Sequence, residues 1–442
     1  MDRAPGSDPG GRPTPEADEL WTLGLAALDR LEDPRGYLAS GSDDGVYAAF
    51  FGRDSLWMLL LLLEGERLGA APSLGARVEA AGARILRAHV ELQGERIDDE
   101  IEEQPGKVIH EFRPMLDERL RRYEMPFRDG RSYASFDATF LFVCAYAGYA
   151  RRFEGHPVVA ETWPAVERAL DWIEEYADDD GDGLYEYRRR DGRNPLNQVW
   201  KDSFDSVSTV SGFDVPPGPL AWIEVQAYAA RALAEGSSLH ARRGCQDAME
   251  RLTGRARDLR RAVAERFWLD DGCLAVALDG RKRRLPLVTS NAGHALWGDL
   301  LDADDAALVA SRLRRGDLLT TWGLRCLSAA SPAYAPFSYH RGNVWPFDNA
   351  VVAAGLLRHG FERDALTIAT GVGAALLRFG TAIELYVVLE GDVLVEPVTA
   401  DAQLLARRRR GQENSTQGFT AAAAVFFAAL LARAGGRSLS DG

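Results

Sequence analysis

FFGRDSLWMLLLLLEGERLG, residues 50–69, opens on a polar turn and runs into eight apolar residues, LWMLLLLL at 56–63. A helix through this run is apolar on nearly every face, and such a helix is stable in water only when other helices surround it. The run is too short to span a bilayer, which takes about 20 apolar residues. Segments 138–149, 349–357 and 420–432 read the same way. Between them stand amphipathic segments such as 160–177 and 246–267, each with one wet face.

Helical patterning covers 17–32, 54–69, 73–93, 136–153, 160–177, 219–235, 241–267, 291–301, 304–314, 345–359, 362–379 and 417–434, mostly with apolar residues at i, i+3, i+4 spacing. A dozen helices alternating between buried and half-exposed predict two concentric rings, an all-α (α/α)6 barrel. Strand signals are short, at 273–279, 287–289 and 385–396, and are expected as hairpin insertions in loops. Four long polar loops, 94–135, 178–218, 314–344 and 381–416, each precede a largely apolar helix. They are expected on one rim, where function concentrates on a rigid scaffold. Residues 1–16 read as a disordered leader without an apolar signal segment, and 17–442 as a single domain. A cytoplasmic protein is expected.

The 442 residues are 46% hydrophobic and 27% charged, with a net charge of −14. Such an acidic chain is a poor partner for nucleic acid, and nothing suggests a membrane. The basic run RRRR at 407–410 reads as a solvated loop. Four scattered cysteines, Cys144, Cys245, Cys273 and Cys326, give neither a disulfide framework nor a zinc site.

The loop DDDGDGLYEYRRRDGRNPLNQVWKDSFDSVS, residues 178–208, places Trp200 two residues before Asp202. An indole face stacks on a pyranose, and a partly desolvated acid keeps its proton near neutrality. Such an acid can protonate a glycosidic oxygen; a surface turn with a half-buried Trp is the plainer alternative. Arg53 and Asp54 open the first buried helix, as a capping pair or as donor and acceptor for two sugar hydroxyls. His110, Glu111 and Arg113 form either an ion-paired loop or a binding group. Asp137 stands where it could cap a helix. Glu224 sits in an apolar helix start, where a carboxylate needs a partner or a ligand. SYHRGNVWPFDN carries His340, Arg341, Trp345 and Asp348. Glu384 follows helix 362–379, and Glu413 is a second candidate carboxylate before the last helix. DDDGDG at 178–183 mimics the start of an EF-hand loop, but position 12 would be Arg189 rather than Glu, which favours a tight turn over calcium.

Ten segments in chain order, FFGRDSLW, QPGKVIHEFRP, SYASFDATFLF, DGDGLYEY, NQVWKDSFDS, WIEVQAY, SNAGHALW, WGLRCLS, SYHRGNVWP and GTAIELY, together resemble the amylo-α-1,6-glucosidase (glycogen debranching enzyme C-terminal) type of glycosidase. The wider clan takes in glucoamylases, trehalases and glucosylglycerate or mannosylglycerate hydrolases. The resemblance covers roughly 36–434. It implies an (α/α)6 barrel and inverting hydrolysis of an α-glycoside, with a carbohydrate substrate and no metal or cofactor. It also implies Asp202 as general acid, Glu384 as general base, and Arg53 and Asp54 gripping the non-reducing sugar. His110, Glu111, Asp137, Trp200, Glu224, Arg325, His340 and Trp345 are implied to line the pocket. Ile383 stands where proline is usual before the base, and QGFT at 417–420 replaces an aromatic motif such as QAW. Members of this kind often carry an N-terminal β-rich domain, so a stand-alone catalytic unit implies a small substrate. An epimerase using His110 and His340, or a silent glycan-binding protein, are the competing expectations.

Overall fold

The computed structural model describes residues 16–41, 47–69, 71–114, 125–207, 216, 218–395, 416–436 and 439. Among them twelve α-helices alternate in role. Six form the inner ring: α2 (Gly52–Arg67), α4 (Ala138–Arg152), α6 (Ile223–Arg242), α8 (Asn291–Trp297), α10 (Pro346–Arg358) and α12 (Gly418–Ala434). Each packs on the next, and α12 packs back on α2, so the ring closes. The outer helices are α1 (Ala17–Arg30), α3 (Pro72–Glu91), α5 (Pro157–Glu175), α7 (Gln246–Arg266), α9 (Ala303–Leu313) and α11 (Glu362–Phe379). This is the (α/α)6 barrel that the patterning predicts.

Burial explains the alternation. Residues Leu56 to Leu62 of α2 are all buried, and α12 buries every residue from Thr420 to Leu430. In outer α7 only Leu252, Ala256, Leu259 and Val263 are buried, spaced by three or four residues along one stripe. Each fully buried leucine contributes roughly 1.5–3 kcal/mol relative to exposure, so the inner ring holds most of the apolar driving force. Close approach within the ring needs small residues. A Cβ on Gly298, just past α8, would lie 2.4 Å from the Ala227 carbonyl oxygen of α6.

Three helices differ most from their expected bounds, and of these the predicted 241–267 helix begins at Gln246. The predicted 219–235 helix begins at Ile223, because Ala221–Trp222 is a strand, and it continues to Arg242. The predicted 291–301 helix stops at Trp297, and Asp299 adopts a left-handed φ of 57°. Of the predicted strands, 385–396 is a hairpin pairing Val387–Leu389 with Val393–Val395. Segment 273–279 contributes Ala277–Leu278 to a three-stranded sheet, and 287–289 contributes only a bridge from Thr289 to Leu327. A second three-stranded sheet, Phe50–Phe51 with Glu111–Phe112 and Arg131–Ser132, was not legible in the sequence. Its strands are two residues long, too short for any alternation to register.

The N-termini of the inner helices share one rim, and the long loops enter there. The leader up to residue 15, Glu413, and the arginine run 407–410 lie outside the described residues. Among the described residues no helix is long and apolar enough to cross a membrane.

Candidate active site

At the centre of that rim a recess encloses about 580 Å³ of open space, mouth included. Arg53, Asp54 and Trp57 of α2 reach it, as do His110, Trp200, Asp202, Tyr339, Trp345, Glu384, Gln417 and Phe419. Seven of the twelve predicted site residues therefore line one cavity: Asp202, Glu384, Arg53, Asp54, His110, Trp200 and Trp345.

The chain bends through residues 199–201. Trp200 and Asp202 face the recess. Lys201 turns inward, where its ammonium donates to the Cys326 carbonyl at 2.7 Å. The buried Trp200 indole is flanked by His294, parallel to it at 5.8 Å, and by the edges of His340, Trp345 and Phe347. His294 is itself held between Asp348 at 2.8 Å and the Tyr228 hydroxyl at 2.6 Å. The aromatic wall is thus fixed from behind by a buried polar chain.

Asp202 stands 3.8 Å from the Arg53 guanidinium. Its side chain is 41% accessible, but the access is into the recess rather than onto the outer surface. Loss of bulk water pushes its carboxyl up to about 6; Arg53 opposes this and the Asp137 charge adds to it. Glu384, 4% exposed, accepts a short hydrogen bond from the Tyr339 hydroxyl. Burial, then the Glu384 charge, raises the Tyr339 phenol well above its ordinary value, so it remains a donor. Tyr339 lies inside the SYHRGNVWP motif, yet only the folded chain reveals its partner.

Arg53 is anchored rather than free. Its Nε donates to Asp137 at 2.7 Å and its Nη2 to Ser135 at 3.3 Å. Burial alone would lower its pKa, but Asp137 and then Asp202 and Asp54 outweigh that and hold it charged. Asp54 sits in the first turn of α2, and burial pushes its carboxyl up to about 7 against the pull of Arg53. Gly52 brings the neighbouring loop in. Its N–H bonds the His110 carbonyl at 2.9 Å, and a Cβ there would overlap the Ile109 carbonyl. His110, edge-on to Phe51, is held neutral by burial and by the charges of Arg53, Lys107 and Arg113.

Five predicted site residues stand outside the recess lining. Asp137 occupies the N-cap position of α4 but makes no capping bond; its carboxylate serves Arg53 and Ser135 instead. Glu111 is ion-paired with Arg113 and pushed up to about 7 by burial. Glu224 is fully buried near Asn291 and Lys201, and burial raises it to about 7. Its contact with Asn291 is electrostatic, because neither oxygen meets hydrogen-bond geometry. Arg325 donates to the carbonyls of Gly316 and Val388, tying the 387–395 hairpin to the rim. His340 stacks behind Trp345 at 4.9 Å and bonds the Ser203 hydroxyl at 2.8 Å. Asp205 is a loop brace that accepts from Ser203 and Ser338. Sequence reasoning missed Ala39, Tyr47, Phe51, Trp57, Tyr339, Phe347, Gln417 and Phe419 as lining residues.

The turn at 178–183 is real: Asp178 accepts from the amides of Gly181, Asp182 and Gly183. The chain then folds Glu186 back, so that Asp178, Asp180, Asp182 and Glu186 place carboxylate oxygens within 4.8 Å of one another.

A closed six-hairpin barrel with carboxylic acids and an aromatic wall at its rim fits several carbohydrate-active classes, and the family decides for a glycoside hydrolase. The chain belongs to the mannosylglycerate hydrolase MGH1-like glycoside hydrolase domain family, whose sequence profile matches residues 130–381. That places it beside, and not within, the amylo-glucosidase branch that its motifs resemble. The family 63 mannosylglycerate hydrolase of Thermus thermophilus, solved with glucose, aligns at 16% identity and a TM-score of 0.65, covering 92% of this chain and 99% of its own. The same enzyme with Tris and D-glycerate gives 15% and 0.63, again over 92% and 99%. A wild-type glycosidase gives 15% and 0.60, over 97% and 100%. At these identities the likeness shows the fold. No curated protein sequence matches the chain.

Proposed function

We propose that this chain is an inverting hydrolase of a small α-glycoside, of the α-mannosylglycerate or α-glucosylglycerate kind, with Asp202 as general acid and Glu384 as general base. The observation that carries the reading is that both carboxyl groups open into one recess beside the Trp200 indole. Protonated Asp202 gives its proton to the glycosidic oxygen as the bond to the anomeric carbon breaks. Glu384 takes a proton from a water that attacks that carbon from the opposite face, so the configuration inverts. An inverting pair needs its carboxyls roughly 6.5–9.5 Å apart to admit that water. Arg53 and Asp54 are placed to bond vicinal hydroxyls, with Trp200 as the sugar platform and His110 and Trp345 at its edges.

A further point supports a small substrate. The family's name, and a similarly folded enzyme solved with D-glycerate, point to a glycerate aglycone. The epimerase alternative needs two histidines over one sugar carbon, and of the two candidates only His110 lines the recess. The test is hydrolysis of α-mannosylglycerate, α-glucosylglycerate, maltose, isomaltose, trehalose and limit dextrin, followed by proton NMR. Release of the β-anomer first, from one of the glycerate glycosides, is expected. Release of the α-anomer would overturn inversion, and preference for limit dextrin would overturn the small substrate.

A further inference from the structure

The acidic turn at the root of the catalytic-acid loop already contains a cation. Asp178, Asp180 and Asp182, with Gly183 next, follow the 1-3-5-6 spacing of an EF-hand loop. The expected position 12 ligand is missing, but Glu186, at position 9, folds in and is fully buried. Oxygens spread over 4.8 Å span about twice a calcium–oxygen bond of roughly 2.4 Å. Into this cage reaches Lys282, from the turn that follows Ala277–Leu278. Its Nζ lies 2.7 Å from Glu186, 3.0 Å from Asp180 and 3.3 Å from Asp182. Arg266 completes the shell at 2.6 Å from Asp182.

We propose that Lys282 is the resident cation of this cage, with its ammonium occupying the place of a divalent metal, so that its removal opens a calcium site. Two features favour this reading. Four carboxylates stand against two side-chain cations, leaving room for more positive charge. The Glu186 oxygen Oε1 is buried with no hydrogen-bond partner, a ligand atom the lysine leaves unused. The ligands are all hard oxygens, and their 4.8 Å spread suits the longer bonds of calcium better than those of magnesium. Lys282 itself is 22% exposed, so its side chain has a path out.

The cage also anchors the loop that ends at Trp200 and Asp202, so it couples loop order to a fixed internal charge instead of to calcium supply. The test uses the full chain, freed of metal with a chelator and titrated with calcium chloride. Thermal unfolding and calorimetry are read for wild type, Lys282→Met, Lys282→Arg and Lys282→Met with Asp180→Asn. Wild type should show no calcium-dependent shift in Tm. Lys282→Met should melt lower and recover with calcium, but not with sodium chloride at equal ionic strength. Lys282→Arg should stay near wild type, and adding Asp180→Asn should abolish the calcium response. A calcium response in wild type equal to that of Lys282→Met would overturn the proposal, as would a Lys282→Met chain indifferent to calcium.

Discussion

Raising the pH through 6 is the perturbation that tests the acid directly. An ordinary aspartic acid, near 3.9, is less than about 1% protonated at pH 6. Asp202, pushed up to about 6 chiefly by loss of water, would be about 90% protonated at pH 5, about half at pH 6 and about 1% at pH 8. If its proton is needed to expel the aglycone, kcat/KM for an unactivated α-glycoside falls nearly a hundredfold from pH 5 to pH 8. The assay is kcat/KM from pH 4.5 to 8.5 for such a substrate, beside an aryl glycoside whose leaving group departs without a proton. The aryl substrate should lose this descending limb. Asp54 and Glu111 are also raised, to about 7, so the limb of the native enzyme belongs to interacting groups. Asp202→Asn separates them: it should cost about 10²–10⁴-fold on the unactivated substrate, little on the aryl one, and remove the limb. A variant with near-native turnover, or an unchanged limb, would refute the assignment.

Glu384→Ala should lose turnover to a similar extent, and added azide should yield the β-glycosyl azide from an α-substrate; an α-azide product would place the base elsewhere. Tyr339→Phe removes a hydrogen bond to a charged group, worth about 1.5–3 kcal/mol of stability, so the variant should unfold at lower urea, and kcat should fall because Glu384 loses the donor that orients it. Asp137→Ala leaves the Arg53 guanidinium buried without its partner, a loss on the order of 3–5 kcal/mol, read by urea unfolding. Glu224 has its folded pKa raised, to about 7, so its contribution to stability is full below its unfolded value and is lost as pH rises through 7. Glu224→Gln should therefore flatten the fall in unfolding free energy between pH 5 and pH 8, by on the order of 3 kcal/mol; parallel curves for the two proteins would count against it.

How far the sequence could be read follows from where each kind of information is stored. The ring was legible because burial on every face leaves a mark in composition: no outer helix could tolerate the Leu56–Leu62 run, and no inner one the polar surface of α7. The rim was legible because long polar loops must enter somewhere, and each preceded an apolar helix. The sheet that sets His110 and Glu111 beside α2 was not, because two-residue strands are made by tertiary pairing rather than by local preference.

Among the site residues the division is chemical. Asp54, Asp137, Asp202, Glu111 and Glu224 look equivalent in the chain, since each is an acid near an aromatic or an arginine. Direction separates them. Asp54 and Asp202 turn toward the recess, Asp137 and Glu111 turn to guanidiniums, and Glu224 turns to the interior. The acids that hold the arginines are what allow the recess to keep a raised carboxyl beside a fixed positive charge. Without Asp137, Arg53 would be free to close on Asp202, 3.8 Å away, and a closer guanidinium lowers a carboxyl pKa. Asp137, though outside the recess lining, thus helps set the proton affinity of Asp202.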